Sequence, residues 1–145
     1  MKKTFTMSEV QTLLPVLEAL MVRAQQAGLK AGVLGAEMDE LRQRIFVSGG
    51  MHVDVTDVAQ QRSQQAAAIE ETKATVAEME EIGAKLHDLG EGLLDLPFRV
   101  DGREVMLCWK VGESAVGHWH EEEEDPAERF PIDEHFGRGE RERLN

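Results

Sequence analysis

The sequence predicts a mainly α chain, a long antiparallel helical hairpin of coiled-coil type followed by a small three-stranded antiparallel β-meander. Three observations lead there. A seven-residue apolar beat runs from Val10 to Ile45, small flexible residues break it at 47–50, and the apolar period changes to two after Gly92. The chain has 145 residues, 41% hydrophobic and 30% charged, a balance that suits an elongated helical body in one domain, 1–145.

The first helix is expected over 6–47. Thr6 and Glu9 have the spacing of a capping box, and Phe5 before the cap can staple onto Val10. Val10, Leu13, Leu17, Leu20, Ala24, Ala27, Ala31, Leu34, Met38, Leu41 and Ile45 then step by three and four, the seam of a helix that supercoils against a partner. Pro15 removes a backbone donor, and Gly28, Gly32 and Gly35 each cost about 1 kcal/mol relative to alanine inside a helix. The heptad phase is nevertheless the same on both sides of the glycines. A loop has no reason to preserve that phase, so one continuous rod is expected. Ala24, Ala27, Gly28, Ala31, Gly32 and Gly35 form a belt of small residues where another backbone can approach closely. It reads first as a helix crossing and second as a slot for a small molecule between helices.

A second helix is expected over 54–90. Asp54 caps it, Val55, Val58, Ile69, Thr72, Val76, Met79, Ile82, Leu86 and Leu89 mark its apolar side, and Gly90 and Gly92 close it. Its first half is weaker, with Arg62 and Gln65 at apolar positions. A short connection forces the helices antiparallel and sets the small-residue belt against the stretch from Gln65 to Lys73. Such a hairpin buries only one stripe per helix, so self-association into a four-helix bundle is expected, with a homodimer as the simplest assembly.

The meander spans 93–121. Leu94, Leu96, Phe98 and Val100 alternate, Asp101-Gly102 is a two-residue hairpin signal, and Val105, Leu107, Trp109 and Val111 alternate on return. A two-residue turn sets Phe98 against Val105, Leu96 against Leu107 and Leu94 against Trp109 on one face, with Arg99 facing Glu104 on the other. Pro97 then points its missing N–H away from 103–111, which makes 93–100 an edge strand. A third strand, about Val116 to Glu121, adds beyond 103–111. One register of it turns His118 and His120 into the core. The other, which is favoured, buries Trp119 beside Trp109 and leaves both histidines near Cys108, Lys110 and Asp95, because buried polar groups without partners are costly.

Chemistry-bearing residues are few. Alternate histidines on a strand project to one side, so His118 and His120, completed by Cys108 and by Glu121 or Glu122, are the candidate ligands of a divalent transition metal such as zinc. Two imidazoles on a solvated face is the simpler account. Glu121 to Asp125 lacks the spacing of a calcium loop and reads as a solvated linker opening an acidic, partly mobile tail, 122–145. Phe130-Pro131-Ile132 and Phe136 can dock that tail onto the body. His87 and Asp88 read as the favourably charged end of the second helix. No phosphate loop, nucleophile elbow or HExxH is present, so no catalytic residue is assigned, and cofactor-binding residues stay open. Cys108 is the sole cysteine, so no intrachain disulfide forms.

Sixteen basic residues against 28 acidic ones give a formal charge of −12, which disfavours nucleic acid and anionic membranes as partners. The start, Met1-Lys2-Lys3-Thr4-Phe5, lacks the apolar stretch of a signal peptide, and no run is long enough to span a bilayer. A cytoplasmic location is expected.

Gly92-Leu93-Leu94-Asp95-Leu96-Pro97, then Asp101-Gly102-Arg103-Glu104-Val105-Met106-Leu107-Cys108-Trp109-Lys110, Gly112-Glu113 and Trp119-His120, resemble the bacterial domain-of-unknown-function family 2203. Phe5-Thr6, Glu9-Val10 and Leu13-Leu14-Pro15 are similar to that family's opening, and the likeness covers about 4–132. It implies a helical hairpin with a small sheet and no established activity. His120 fits the family's Trp-His pattern, His118 falls at a position the resemblance implies is variable, and Asp125 to Arg129 departs from a more glycine-rich pattern. The function expected is a non-catalytic oligomeric scaffold or adaptor that recognises another protein. The alternative is a metal-binding protein, or metalloenzyme, built on the His-x-His strand.

Overall fold

The computed structural model describes residues 4–50, 54–121 and 130–132. In chain order they form helix α1 (Met7–Val47), helix α2 (Val55–Ile82) and strands β1 (Lys85–Asp88), β2 (Leu93–Val100), β3 (Arg103–Lys110), β4 (His118–His120) and β5 (Phe130–Pro131). The strands make one antiparallel sheet in the order β1-β2-β3-β4-β5.

The capping box opens α1. The Glu9 N–H donates to Thr6 Oγ1 at 3.3 Å, and the Thr6 N–H donates to Glu9 Oε1 at 3.0 Å. From there α1 runs without a break through Pro15, Gly28, Gly32 and Gly35. Pro15 lies on an exposed side, where water can serve the carbonyl it leaves without a helical donor. Every member of the heptad seam is buried or half-buried. The belt of small residues meets the expected stretch of α2. A Cβ on Gly28 would lie 3.3 Å from Leu89 Cδ2 and 3.9 Å from Thr72 Cγ2, and one on Gly35 would lie 2.9 Å from Gln65 Nε2. Gly32 differs, since a Cβ there meets nothing within 4 Å. Gly32→Ala should therefore raise stability by about 1 kcal/mol through helix propensity alone, measured as a higher urea midpoint with unchanged slope.

Asp54 starts α2 by accepting the Thr56 N–H at 2.9 Å. The helix ends at Ile82, not near residue 90. Gly83 adopts φ 114°, and the Gly83 and Ala84 N–H groups close the end on Glu80 O and Met79 O. Residues 85–88, expected to be helical, are β1. The reason lies in the spacing: Ile82, Leu86 and Leu89 keep helical period across Gly83, while the same Leu86 sits opposite Leu94 on the sheet.

β1 also corrects the expected edge. It pairs with the first half of β2, and beyond it Phe5 forms a parallel bridge to Phe98. The Phe5 N–H donates to the Pro97 carbonyl at 2.9 Å. Pro97 does turn its donor-less nitrogen away from β3, but the incoming chain asks only for its carbonyl. The sheet thus has five strands rather than three.

The β2–β3 register is the expected one, from Leu94↔Trp109 to Arg99↔Glu104. Asp101 and Gly102 both have positive φ, 52° and 71°, as a type I′ turn requires. Leu107 pairs with Trp119, so the favoured register of the third strand holds. Residues 130–132 dock as strand and core. The Ile132 N–H donates to Gly117 O at 3.0 Å, and the Phe130 and Trp119 rings lie 5.1 Å apart. The rest of the expected acidic tail, 122–129 and 133–145, lies outside the described residues.

The core sits at the sheet end of the hairpin. Leu94, Leu96, Phe98, Val105, Leu107 and Trp109 form the inner sheet face and pack with Val10, Leu14, Leu17 and Met21 of α1 and Met79 of α2. No helix among the described residues is long and apolar enough to cross a membrane.

Candidate functional site

Strand alternation puts a second set of residues on the sheet face turned away from this core. Lys85, Asp95, Cys108 and His118 align across β1, β2, β3 and β4, and Met106 and His120 form the next row. The middle of this face is closed to solvent, while Lys85 at its edge is exposed. Asp95, Met106, Cys108 and His120 are all buried.

His120 is the centre of the arrangement, with 2% of its surface exposed. Its Nε2 lies 3.0 Å from Asp95 Oδ1 and its Nδ1 lies 2.7 Å from the Glu121 carbonyl oxygen. Because Asp95 is on β2 and His120 on β4, the contact straddles β3. His87 approaches the other carboxylate oxygen, Nδ1 to Asp95 Oδ2 at 3.7 Å, from the irregular step in β1 between Leu86 and Asp88. It does not end a helix, as its position after Leu86 suggested. Asp88 instead accepts the Glu91 N–H at 3.0 Å within the β1–β2 turn.

Of the five residues singled out as candidate metal ligands, Cys108, His118 and His120 therefore share a face. Glu121 turns its carboxylate to Arg103 at 2.9 Å, and Glu122 lies outside the described residues. Both ring nitrogens of His120 are engaged by Asp95 and Glu121, and His118 Nδ1 is buried without a hydrogen-bond partner among the described residues. No group of three or more His, Cys, Asp and Glu side chains among the described residues is placed to hold a metal ion. Asp95 is the residue that sequence reasoning placed nearby but did not couple to His120. The hairpin register sets Asp95 opposite Cys108 but carries no signal for a bond to a side chain two strands away.

Within the small-residue belt Gly28 is met by Leu89 and Thr72 and Gly35 by Gln65, as a crossing requires, while Gly32 faces open space. Beside it runs a groove of about 500 Å³ lined by Ala27, Ala67, Ala68 and Lys30 among others. Arg23 on the same rim pairs with Glu71 at 2.6 Å, and that hydrogen bond and charge hold the guanidinium above its ordinary range. Most of the residues lining this groove are exposed.

A second apolar stripe runs along the outside of α1. Val22, Leu29, Val33 and Ala36 follow each other at heptad spacing. Leu29 stands two residues from both Ala27 and Ala31, roughly 200° round the helix from the seam that faces α2. Leu29 is 71% exposed and Val33 50%. At the hairpin tip Phe46, Val47 and Val55 are more exposed still.

The family model described as "Uncharacterized conserved protein (DUF2203)" matches residues 3–132. The chain belongs to DUF2203. The match reaches from just before the capping box to β5, so the DUF2203 region contains every element described above, including Asp95, His120 and the outer stripe of α1. No curated protein and no solved structure matches the chain.

Proposed function

We propose that this DUF2203 chain is a non-catalytic oligomeric scaffold: a second copy of the chain covers the outer stripe of α1, and the surface of the resulting helical bundle recognises another protein. One observation carries this reading. α1 has two apolar seams on opposite sides, one taken by α2 and the other, Val22, Leu29, Val33 and Ala36, open. An exposed seam of that spacing is what a helix presents to a further helix, and closing it around a two-fold axis pairs α1 with its copy and leaves each α2 on the far side, four helices in one layer. The exposed Phe46, Val47 and Val55 at the tip supply a separate apolar patch for a protein partner. The engagement of both His120 nitrogens and the net charge of −12 support a role in protein contacts over chemistry or nucleic-acid binding.

Leu29→Lys combined with Val33→Lys tests the reading. Multi-angle light scattering at micromolar concentration should give twice the 16.2 kDa chain mass for the wild type and a single chain mass for the variant. Helicity by circular dichroism should be unchanged, because neither side chain belongs to the buried core. A variant that keeps the wild-type mass would remove the stripe as the contact surface.

A further inference from the structure

His120 is surrounded by acceptors. A backbone carbonyl cannot donate, so the 2.7 Å contact with the Glu121 oxygen requires a proton on Nδ1. A carboxylate near neutral pH is ionised and also only accepts, so the 3.0 Å contact with Asp95 Oδ1 requires a proton on Nε2. A neutral imidazole carries one ring proton, and here two are needed. We infer that His120 is held as an imidazolium, and that its ion pair with Asp95 is a proton-dependent strap fastening β4 across β3 to β2.

The strap acts where the sheet is weakest. β2 and β3 pair over eight residues each, whereas β4 has three residues and β5, which pairs with β4, has two. A buried, charge-assisted hydrogen bond between β4 and β2 therefore secures a short ladder together with the edge strand beyond it. The titratable and charged groups on the same face among the described residues are Lys85, His87 and Asp88 on β1, Arg99 on β2, Glu104, Cys108 and Lys110 on β3, and His118 on β4. Glu121, next to His120, is paired with Arg103. His87 is a second imidazole on the same carboxylate, its Nδ1 3.7 Å from Asp95 Oδ2.

The sign of the pH dependence follows from the proton count. The folded arrangement favours the doubly protonated ring, so the fastening is complete at lower pH. It is lost as pH rises and the ring gives up its second proton. A bare ring nitrogen then faces either the carboxylate or the carbonyl, and the contact turns repulsive. Cys108 reports the change. It is the sole cysteine, fully buried, and lies in the row between Asp95 and His118 that the strap crosses.

Two measurements on the full chain test this together. Nitrogen-15 spectra of the imidazole should show both His120 nitrogens protonated at lower pH, with one losing its proton as pH rises. Labelling of Cys108 by a maleimide, normalised at each pH to the urea-unfolded chain so that thiol ionisation cancels, should rise about tenfold or more over the same interval. His120→Gln should label fast at every pH with no step, and if it does not fold the wild-type pair of measurements decides alone. A ring that is singly protonated at all pH values, or labelling that stays flat while the ring titrates, would overturn the inference.

Discussion

Trp109→Ala should lower the unfolding free energy by about 3–5 kcal/mol, the range for deleting a large buried aromatic side chain. Trp109 is 1% exposed and stands opposite Leu94 in the inner face of the sheet, within the cluster that joins both helices to the strands. Its indole N–H also donates to the Glu113 carbonyl at 3.0 Å, so the substitution leaves an acceptor without its donor as well as a cavity. For a chain of this length each kcal/mol moves the melting temperature by roughly 2–4 °C, so a drop near 10 °C in a thermal scan is expected. Trp119, half-buried on the short β4, provides the internal comparison, and its alanine variant should lose clearly less. Equal losses would mean that the two indoles share the core evenly, contrary to the packing described here.

Gly92→Ala should be nearly as damaging for a different reason. Gly92 has φ 70°, and a Cβ there would lie 2.3 Å from Val111 Cγ1, and 3.1 Å from both Val111 Cβ and Gln25 Nε2. Its carbonyl meanwhile accepts the Val111 N–H at 2.9 Å, so the backbones cannot separate without breaking that bond. The left-handed backbone costs an L-residue about 1–2 kcal/mol and the overpacking about 1–3 kcal/mol, for a combined loss of about 2–5 kcal/mol in urea unfolding. Combining it with Val111→Ala removes the 2.3 Å collision but not the backbone strain. The double variant should therefore recover part of the loss, a coupling that a double-mutant cycle measures. A purely additive result would place the whole cost in the backbone.

The parts of this structure legible in the sequence are those where one period acts alone. The heptad phase on both sides of Gly28, Gly32 and Gly35 was enough to carry α1 through the glycines, because the belt is held by Gln65 and Thr72 of a partner helix rather than by local propensity. Asp101-Gly102 set the β2–β3 register for the same reason, since a two-residue turn leaves no slack. β1 escaped notice because Leu86 satisfies a helix and a strand equally, and only the left-handed Gly83 separates the two. β5 is two residues ending in a proline, too short to show a period. At the polar face the neighbours were legible but the bond was not. Asp95 and His120 are two strands apart, and pairwise register arguments say who sits opposite whom, not which side chains reach across an intervening strand. The outer stripe of α1 was hidden differently: Val22, Leu29 and Val33 fall outside the heptad seam, and only their exposure beside a used inner seam marks them as open apolar surface.

On the proposed function, a second copy of the chain covers this stripe. Sedimentation equilibrium of the unmodified chain, followed from high-nanomolar to high-micromolar concentration, tests it most directly. A fitted mass that rises to twice 16.2 kDa and stops there is the predicted result. A mass that stays at 16.2 kDa across the whole range would contradict the account.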